Sequence, residues 1–115
     1  MMNIIDKYQF GKIIVNGTTY QNDIIIFPDY VQDQWWRKKG HNLQISDLDS
    51  VINFKPEVLF IGTGMYGLMQ VGDLVIKKLK DFGINKIFVD KTKKVCEEYN
   101  LEKVLQKIAA LHLTC

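Results

Sequence analysis

Hydrophobic and polar residues alternate with the period of a β-strand near the start of the chain. The pair Asn16-Gly17 separates two such runs. Asn-Gly is typical of a two-residue type I′ turn, because both central residues of that turn need a positive φ. The pattern therefore predicts a β-hairpin in which Val15 lies opposite Thr18 and one face of the ribbon, including Ile13, packs on the core.

Runs of apolar residues further along the chain predict the strands of a buried sheet. These runs cover residues 23–27, 58–61, 86–89 and 108–113. The first ends at Pro28, which cannot donate a ladder hydrogen bond, and its continuous apolar character favours an interior position. Residues 30–37 are predicted as a further strand, with Trp35 and Trp36 on opposite sides of it.

Helical periodicity appears only in the second half of the chain, apart from one short segment. Ser46 is the expected N-cap of that segment, which we predict to end near Phe54. Residues 73–82 place Val75, Leu79 and Phe82 on one face, at the spacing of an amphipathic helix. Residues 92–99 form a second pattern of this kind, so strands and helices alternate after residue 57.

Length and composition favour one globular domain over residues 1–115. Hydrophobic residues make up 47% of the chain and charged residues 24%, close to globular averages, so neither disorder nor a fibrous repeat is expected. The formal charge is only +2, and Arg37 is the sole arginine. Nucleic-acid binding is therefore not expected, because such proteins usually present a strongly basic face.

The number of cysteines and the length of the apolar runs argue against a metal site, a disulfide framework and a membrane span. Cys96 and Cys115 are the only cysteines, so no CxxC pair exists to build a zinc site or a disulfide framework. The longest uninterrupted apolar runs have four residues, whereas a membrane span needs about 20. Without a secretory signal pattern at the N-terminus, we expect a cytoplasmic protein with no metal, no cofactor and no membrane partner.

A GxGxxG motif follows the strand predicted at 58–61. Its glycines are Gly62, Gly64 and Gly67, and Asp90 stands 28 residues after the first of them. This is the pattern of a dinucleotide-binding loop, in which the backbone approaches a pyrophosphate at a helix N-terminus. The remaining chain is too short for the two βαβαβ halves of that fold, so we expect a crossover loop that borders a crevice.

Two functional hypotheses follow from the motifs, and the residues leave both open. A small-molecule, nucleotide or anion binder, or even a minor enzyme, would use a pocket or anion loop at the carboxyl end of the central strand. The residues assigned to it are Gly62, Thr63, Gly64, Met65, Tyr66, Gly67 and His112. A non-enzymatic interaction module would instead use Trp36, Arg37 and His41, or the Met65–Tyr66 loop, because Trp and Arg are enriched at interaction hot spots.

His112 and Cys115 raise a third possibility, a thiol nucleophile with a neighbouring base. Such a site needs a depressed thiol pKa and a third, orienting group. Strand alternation would put the two side chains on opposite faces, and the sequence offers no orienting group. We assign no catalytic residue, and a non-enzymatic role is favoured.

Separated phrases of the sequence agree, in order, with one known family. They are YQFG at 8–11, WWR at 35–37 with GH at 40–41, PEVLFIGTG at 56–64, YN at 99–100 and AALHLTC at 109–115. Together they closely resemble the small adipogenesis-associated domain family, whose relatives include the mitochondrial complex I assembly factor three and uncharacterised bacterial and archaeal proteins. The resemblance covers nearly the whole chain.

The resemblance implies a fold but no established reaction. It implies a compact three-layer α/β domain with a mixed central sheet and not a true Rossmann fold, in agreement with the length argument, and the pattern around Asn16-Gly17 adds the N-terminal hairpin ribbon. The roles of the eukaryotic relatives in respiratory-complex assembly and adipocyte differentiation suggest protein partners. From the residues alone we expect a monomer or a homodimer: an edge strand could pair two copies, but nothing in the pattern requires it. The family's glycine loop corresponds to Gly62, Gly64 and Gly67, and its terminal histidine and cysteine correspond to His112 and Cys115. Because a shared fold does not establish a shared function, these roles remain expectations.

Overall fold

An antiparallel ribbon of three strands begins the chain. The computed structural model, which describes residues 2–115, contains β1 (Ile5–Gln9), β2 (Lys12–Val15) and β3 (Thr18–Tyr20) in that spatial order. Asn16 and Gly17 form the turn between β2 and β3, with φ values of 50° and 80°. Val15 lies opposite Thr18, so the predicted hairpin and its register are confirmed.

A mixed five-stranded sheet forms the centre of the molecule. Its strands are β4 (Ile24–Ile26), β5 (Val31–Gln32), β6 (Val58–Thr63), β7 (Lys86–Asp90) and β8 (Lys107–His112). The spatial order is β5-β4-β8-β6-β7; β6 is parallel to β7 and β8, whereas β4 is antiparallel to β5 and β8. Every residue of β6 and β8 is buried, as expected for interior strands covered on both faces.

Helices and the ribbon cover the two faces of this sheet. The helices are a 3-10 turn (Ile45–Leu48), α1 (Asp49–Phe54), α2 (Asp73–Asp81) and α3 (Thr92–Leu101). On one face, Tyr99 of α3 packs against Phe60, and Ile13 of the ribbon belongs to the same core. On the other face, Val51 of α1 and Leu79 of α2 share a core. The three-layer α/β architecture with a mixed sheet is confirmed, and no second βαβαβ half occurs within residues 2–115.

Residues 30–37, here called the tryptophan segment, differ from the strand predicted for them. Only Val31–Gln32 forms a strand, because Gln34 has a φ of 55° and this left-handed conformation ends the extended chain. The two tryptophans still point in opposite directions, as predicted: Trp35 is buried and donates to the Asp47 carbonyl oxygen, whereas Trp36 is 73% exposed.

Two helix boundaries also differ from their predictions. The short helical segment begins at Ile45, where the Gln44 amide donates to the Asp47 carboxylate, so Ser46 is not its N-cap. Helix α2 ends at Asp81, and Phe82, predicted on its buried face, is half exposed. The helix ends before Phe82 completes the apolar face, because the chain turns at Gly83, which has a φ of 95°.

Candidate functional site

The glycine loop, residues 62–67, lies at the carboxyl end of β6 and packs against the last residues of the chain. The Met65 amide donates to the Thr114 carbonyl oxygen at 2.7 Å, and the Leu68 amide donates to that of Cys115 at 3.0 Å. A loop that binds phosphate must keep such amides free for the anion. Here residues 113–115, called the C-terminal segment below, occupy them.

Close packing explains why the first two glycines of the motif are glycines. A Cβ at Gly62 would lie 2.8 Å from Thr92 Oγ1, and one at Gly64 would lie 2.3 Å from the backbone carbon of Cys115. Thr92 Oγ1 accepts from the Gly64 amide at 2.8 Å and donates to the His112 carbonyl oxygen at 2.6 Å. The motif therefore lets the N-terminus of α3 and the C-terminal segment approach β6.

Helix α2 does not follow the glycine loop directly. It begins at Asp73, six residues after Gly67, and its N-cap is Gly72. Thr63, the remaining polar residue of the loop, is buried and donates to the Asp90 carbonyl oxygen at 3.1 Å. These contacts favour a structural role for the loop backbone and for Thr63, and Tyr66 is the exposed side chain among residues 62–67.

A buried polar cluster, here named the Asp23 cluster, lies beside the glycine loop. It consists of Asp23, Arg37 and His112. Asp23 Oδ2 lies 2.8 Å from Arg37 Nη1 and 2.8 Å from His112 Nδ1, and Asp23 Oδ1 accepts from the Leu113 amide at 2.7 Å. The Arg37 guanidinium also donates twice to the Gly40 carbonyl oxygen. Two distant segments and the end of β8 are joined through one carboxylate.

Strand register brings Asp23 and His112 together. Ile24 of β4 lies opposite Leu111 of β8 in an antiparallel pair, so the next residue out on each strand meets its counterpart. Sequence reasoning identified His112 and Arg37 but missed Asp23. The available signal was a lone acidic residue directly before an apolar strand, which is informative only once β4 is known to pair with β8.

Electrostatics in the cluster stabilise the carboxylate form of Asp23. Burial alone would raise its pKa, but hydrogen bonds from His112, the Leu113 amide and Arg37 lower the pKa below its ordinary value of 3.8. The Arg37 side chain is only 4% exposed. A buried pair of this kind becomes costly when either partner is removed, because the other charge is left without compensation.

The His112 ring has one satisfied and one unsatisfied nitrogen. Its Nδ1 lies between Asp23 Oδ2 and Arg37 Nη2, so it donates to the former when protonated and accepts from the latter when not. Its Nε2 is buried and has no hydrogen-bond partner in the described chain. The His41 ring packs edge-on, with the two ring centroids 5.6 Å apart. Within residues 2–115, no three His, Cys, Asp or Glu side chains are arranged to hold a metal ion.

An aromatic pair, Phe10 and Tyr66, lies on the surface beside the C-terminal segment. Their ring centroids are 6.1 Å apart, although Phe10 is 49% and Tyr66 is 64% exposed. The Gly11 amide donates to the Leu113 carbonyl oxygen, which anchors the turn that carries Phe10. Leu68, which directly follows the glycine loop, is exposed as well. We call Phe10, Tyr66 and Leu68 the aromatic surface.

The residues predicted for an interaction surface take different positions. Trp36 faces solvent and is the most exposed aromatic side chain of the described residues, and His41 is exposed too. Arg37 turns inward and holds Asp23, so its guanidinium anchors the segment that carries Trp36. His112 connects both predicted sets, because it contacts Arg37 and His41 on one side and lies against Gly64 on the other.

The two cysteines differ in environment. Cys96 is buried in α3, where burial and then the nearby Glu97 raise its pKa to about 12. Such a thiol is protonated at neutral pH and a poor nucleophile. Cys115 is partly exposed and unpaired, and its carbonyl oxygen accepts from Leu68. Asp23 holds the His112 ring through Nδ1, as the third group of a thiol site would, but the Nε2 atom of His112 makes no hydrogen bond to the Cys115 thiol in the described chain.

Comparison with known proteins identifies one family and several structures of the same fold, each over most of the chain. A family model described as "Protein of unknown function (DUF498/DUF598)" matches residues 5–112. A solved structure named MT938 is similar with a TM-score of 0.78 and 24% identity, covering 98% of this chain and 99% of that one. These matches confirm the resemblance derived from the sequence.

Two further structures extend the comparison. A protein named as an outer membrane protein of Bartonella henselae matches with a TM-score of 0.81 and 21% identity, covering 99% of this chain and 97% of that one. A Bordetella pertussis protein, named a Mth938-like domain, matches with a TM-score of 0.73 and 20% identity, covering 96% of this chain and 85% of that one. At these identities the likeness establishes the fold alone.

Proposed function

This chain belongs to the DUF498/DUF598 family of proteins of unknown function, and we propose that it acts as a non-enzymatic protein-interaction module, in the manner of an assembly factor. The observation that carries the proposal is the aromatic surface. The rings of Phe10 and Tyr66 lie next to each other, although about half or more of each residue is exposed to solvent. Exposed aromatic side chains held in place favour protein contacts, because they bury a large area at a small cost in conformational entropy.

Hydrogen bonds that the loops make to the C-terminal segment support this role. Met65 and Leu68 donate to its carbonyl oxygens from one side, and Gly11 donates from the other. Both turns of the aromatic surface are therefore fixed to the same short stretch of backbone. Preorganisation of this kind lowers the entropy lost when a partner binds.

Trp36 extends the proposed contact region on a second anchored segment. The Arg37 side chain fastens this segment to Asp23 and Gly40, and Trp35 anchors it in the core. Trp is the residue type most enriched at interaction hot spots, together with Tyr and Arg. We include Trp36 in the contact region and assign Arg37 to its support.

An affinity-capture experiment tests the proposal. The wild-type chain and a Phe10→Ala/Tyr66→Ala variant are used as baits in the same lysate, with Leu74→Ala as the matched control. Leu74 is 64% exposed on α2 and lies outside the aromatic surface. We expect proteins that the wild type and the control retain to be lost from the double variant, whose fold is checked by circular dichroism. An unchanged set of captured proteins would refute this surface.

A small-molecule site at His112 is the second candidate function. It is favoured by one observation, the buried Nε2 atom without a partner, which can accept a hydrogen bond from a ligand. His112→Asn keeps a donor for Asp23 and removes this acceptor. A ligand that raises the melting temperature of the wild type but not of His112→Asn would support the candidate, whereas equal shifts would exclude this nitrogen.

The proposal includes a cytoplasmic location and protein partners. Both cysteines of the described chain are unpaired, which suits a reducing compartment. None of the helices within residues 2–115 is long and apolar enough to cross a membrane. Fractionation of cells that express the tagged chain tests the location directly, and recovery in a membrane fraction would contradict it.

A further inference from the structure

Strand β7 leaves one edge of the central sheet open. It pairs with β6 through all five of its residues, and no further strand of the described chain lies beyond it. Its sequence, Lys86 to Asp90, contains neither proline nor glycine, and Val89 is exposed. An edge of this kind presents unpaired backbone donors and acceptors to another strand. The opposite edge strand, β5, has only two residues.

The charges of β7 are complementary to those of its own antiparallel copy. With Phe88 at the centre, Lys86 of one copy lies opposite Asp90 of the other at both ends of the pair. Ile87 then lies opposite Val89, and the two Phe88 side chains meet on the face that carries α3. Cross-strand pairs of opposite charge and of aromatic rings stabilise a sheet.

Helix α3 carries a second complementary pattern beside this edge. A groove of about 480 Å³ between α3 and β7 is lined by Glu98, Leu101 and Glu102, so this side of the helix faces the open edge. Lys94 lies one helical turn before Glu98 and forms an ion pair with it at 3.8 Å. Lys94, Glu98 and Glu102 therefore form a stripe along α3 that is basic near the helix N-terminus and acidic near its C-terminus.

The order of these charges is unfavourable within one chain. Lysines near a helix N-terminus and glutamates near its C-terminus oppose the helix dipole. In α3 the first turn has no acidic residue and the last turn has no basic residue. Next to an antiparallel copy of the same helix, the same order becomes favourable, because Lys94 faces the acidic half of the second helix. Leu101, which is 71% exposed at the end of the groove, then gains apolar contacts with the second copy.

We propose that two copies of this chain associate through β7, antiparallel and in register at Phe88, and form a continuous ten-stranded sheet. The two β6 strands would lie about 14 Å apart, three strand spacings, so helices packed above them meet through long side chains such as those of Lys94 and Glu98. The pairing is isologous, as the interface of a closed dimer must be. The interface uses no residue of the aromatic surface. Failure of the dimer proposal would therefore leave the proposed function unaffected, and the reverse also holds.

Charge reversal at the two ends of β7 tests both the dimer and its register. Lys86→Glu and Asp90→Lys each place like charges opposite each other in their own homodimers, so each single variant is expected to raise the dimer Kd at least about tenfold. An equimolar mixture of the two variants restores both opposite-charge pairs and is expected to form a heterodimer. Lys39→Glu, a charge reversal on an exposed loop away from β7, is the control and should leave the dimer intact.

Sedimentation velocity of the full chain measures the dimer Kd. Hydrogen exchange measures the protection of the β7 amides as a second readout. Amides of residues 86–90 should become more protected as the protein concentration rises. A wild-type chain that remains monomeric at about 500 µM would overturn the proposal. A dimer that both single variants leave unchanged, or a mixture that fails to associate although each variant is folded, would overturn it as well.

Discussion

Asp23 and His112 face each other across two antiparallel strands, with Oδ2 and Nδ1 2.8 Å apart. The contact joins residues that are 89 positions apart in the chain. Arg37 completes it from a third segment. Since the glycine loop, the C-terminal segment and the segment that carries Trp36 all meet at His112, the Asp23 cluster supports both the aromatic surface and Trp36.

Replacement of Asp23 by asparagine is expected to destabilise the fold. The change leaves the buried Arg37 guanidinium without its counter-charge, which typically costs about 3–5 kcal/mol. Chemical denaturation of the variant measures this loss. Asp29→Asn, at an exposed position nearby, is the matched control and should change stability by less than about 0.5 kcal/mol. Equal stabilities of the two variants would show that the cluster contributes nothing to folding.

The lowered pKa of Asp23 predicts a specific dependence of stability on pH. The pKa of Asp23 in the folded protein lies below the ordinary value of 3.8. Folding therefore stabilises the ionised carboxylate of Asp23 relative to its protonated form. The contribution is therefore complete above pH 3.8 and is lost as the pH falls through the folded-state pKa. The gap in unfolding free energy between the wild type and Asp23→Asn should narrow below about pH 4. A gap that stays constant down to about pH 2 would contradict the shift.

Gly64→Ala is expected to be more harmful than a glycine substitution that only strains the backbone. Gly64 has a φ of 105° and its new Cβ would lie 2.3 Å from the Cys115 backbone, so the C-terminal segment must move. Gly17→Ala, at a φ of 80° with open space around it, separates the two effects and should cost about 1 kcal/mol. Thermal denaturation of both variants compares them. A smaller loss for Gly64→Ala would show that the loop packs loosely.

Phosphate-containing ligands are expected to leave the melting temperature unchanged. The Met65 and Leu68 amides already donate to the C-terminal segment, so the glycine loop offers an anion few free donors. A bound ligand at about 100 times its Kd would stabilise the protein by about 2.7 kcal/mol and raise the melting temperature by several degrees. Thermal shift with NAD, NADP, FAD, ATP and phosphate tests this. A shift that a Gly64→Val variant no longer shows, although circular dichroism finds that variant folded, would support the anion-binding hypothesis.

Local patterns in the sequence determined the elements of this protein. Asn16-Gly17 specified the hairpin and its register, because a type I′ turn depends on the two turn residues alone. The spacing of Val75 and Leu79 predicted α2, and the apolar run after Glu57 predicted β6. Each of these features depends on residues that are neighbours in the chain, whose propensity and periodicity can be read directly.

Tertiary structure decided how the GxGxxG motif is used. The spacing of Gly62, Gly64 and Gly67 is compatible with a phosphate loop, but the order of the strands places β8 beside β6. As a result, the C-terminal segment lies against the loop and accepts the hydrogen bonds that an anion would need. The same glycines would suit a phosphate loop or a closely packed structural loop. The position of β8 beside β6 selects the structural loop.

Tertiary structure also decided the composition of the site. Asp23 became significant only because β4 lies antiparallel to β8, which sets it opposite His112. The inward turn of Arg37 depends on that carboxylate, which no pattern within the tryptophan segment encodes. Sequence periodicity reports which face of an element is buried, whereas a cluster of buried charges depends on which elements become neighbours. That choice is made by the packing of the whole chain.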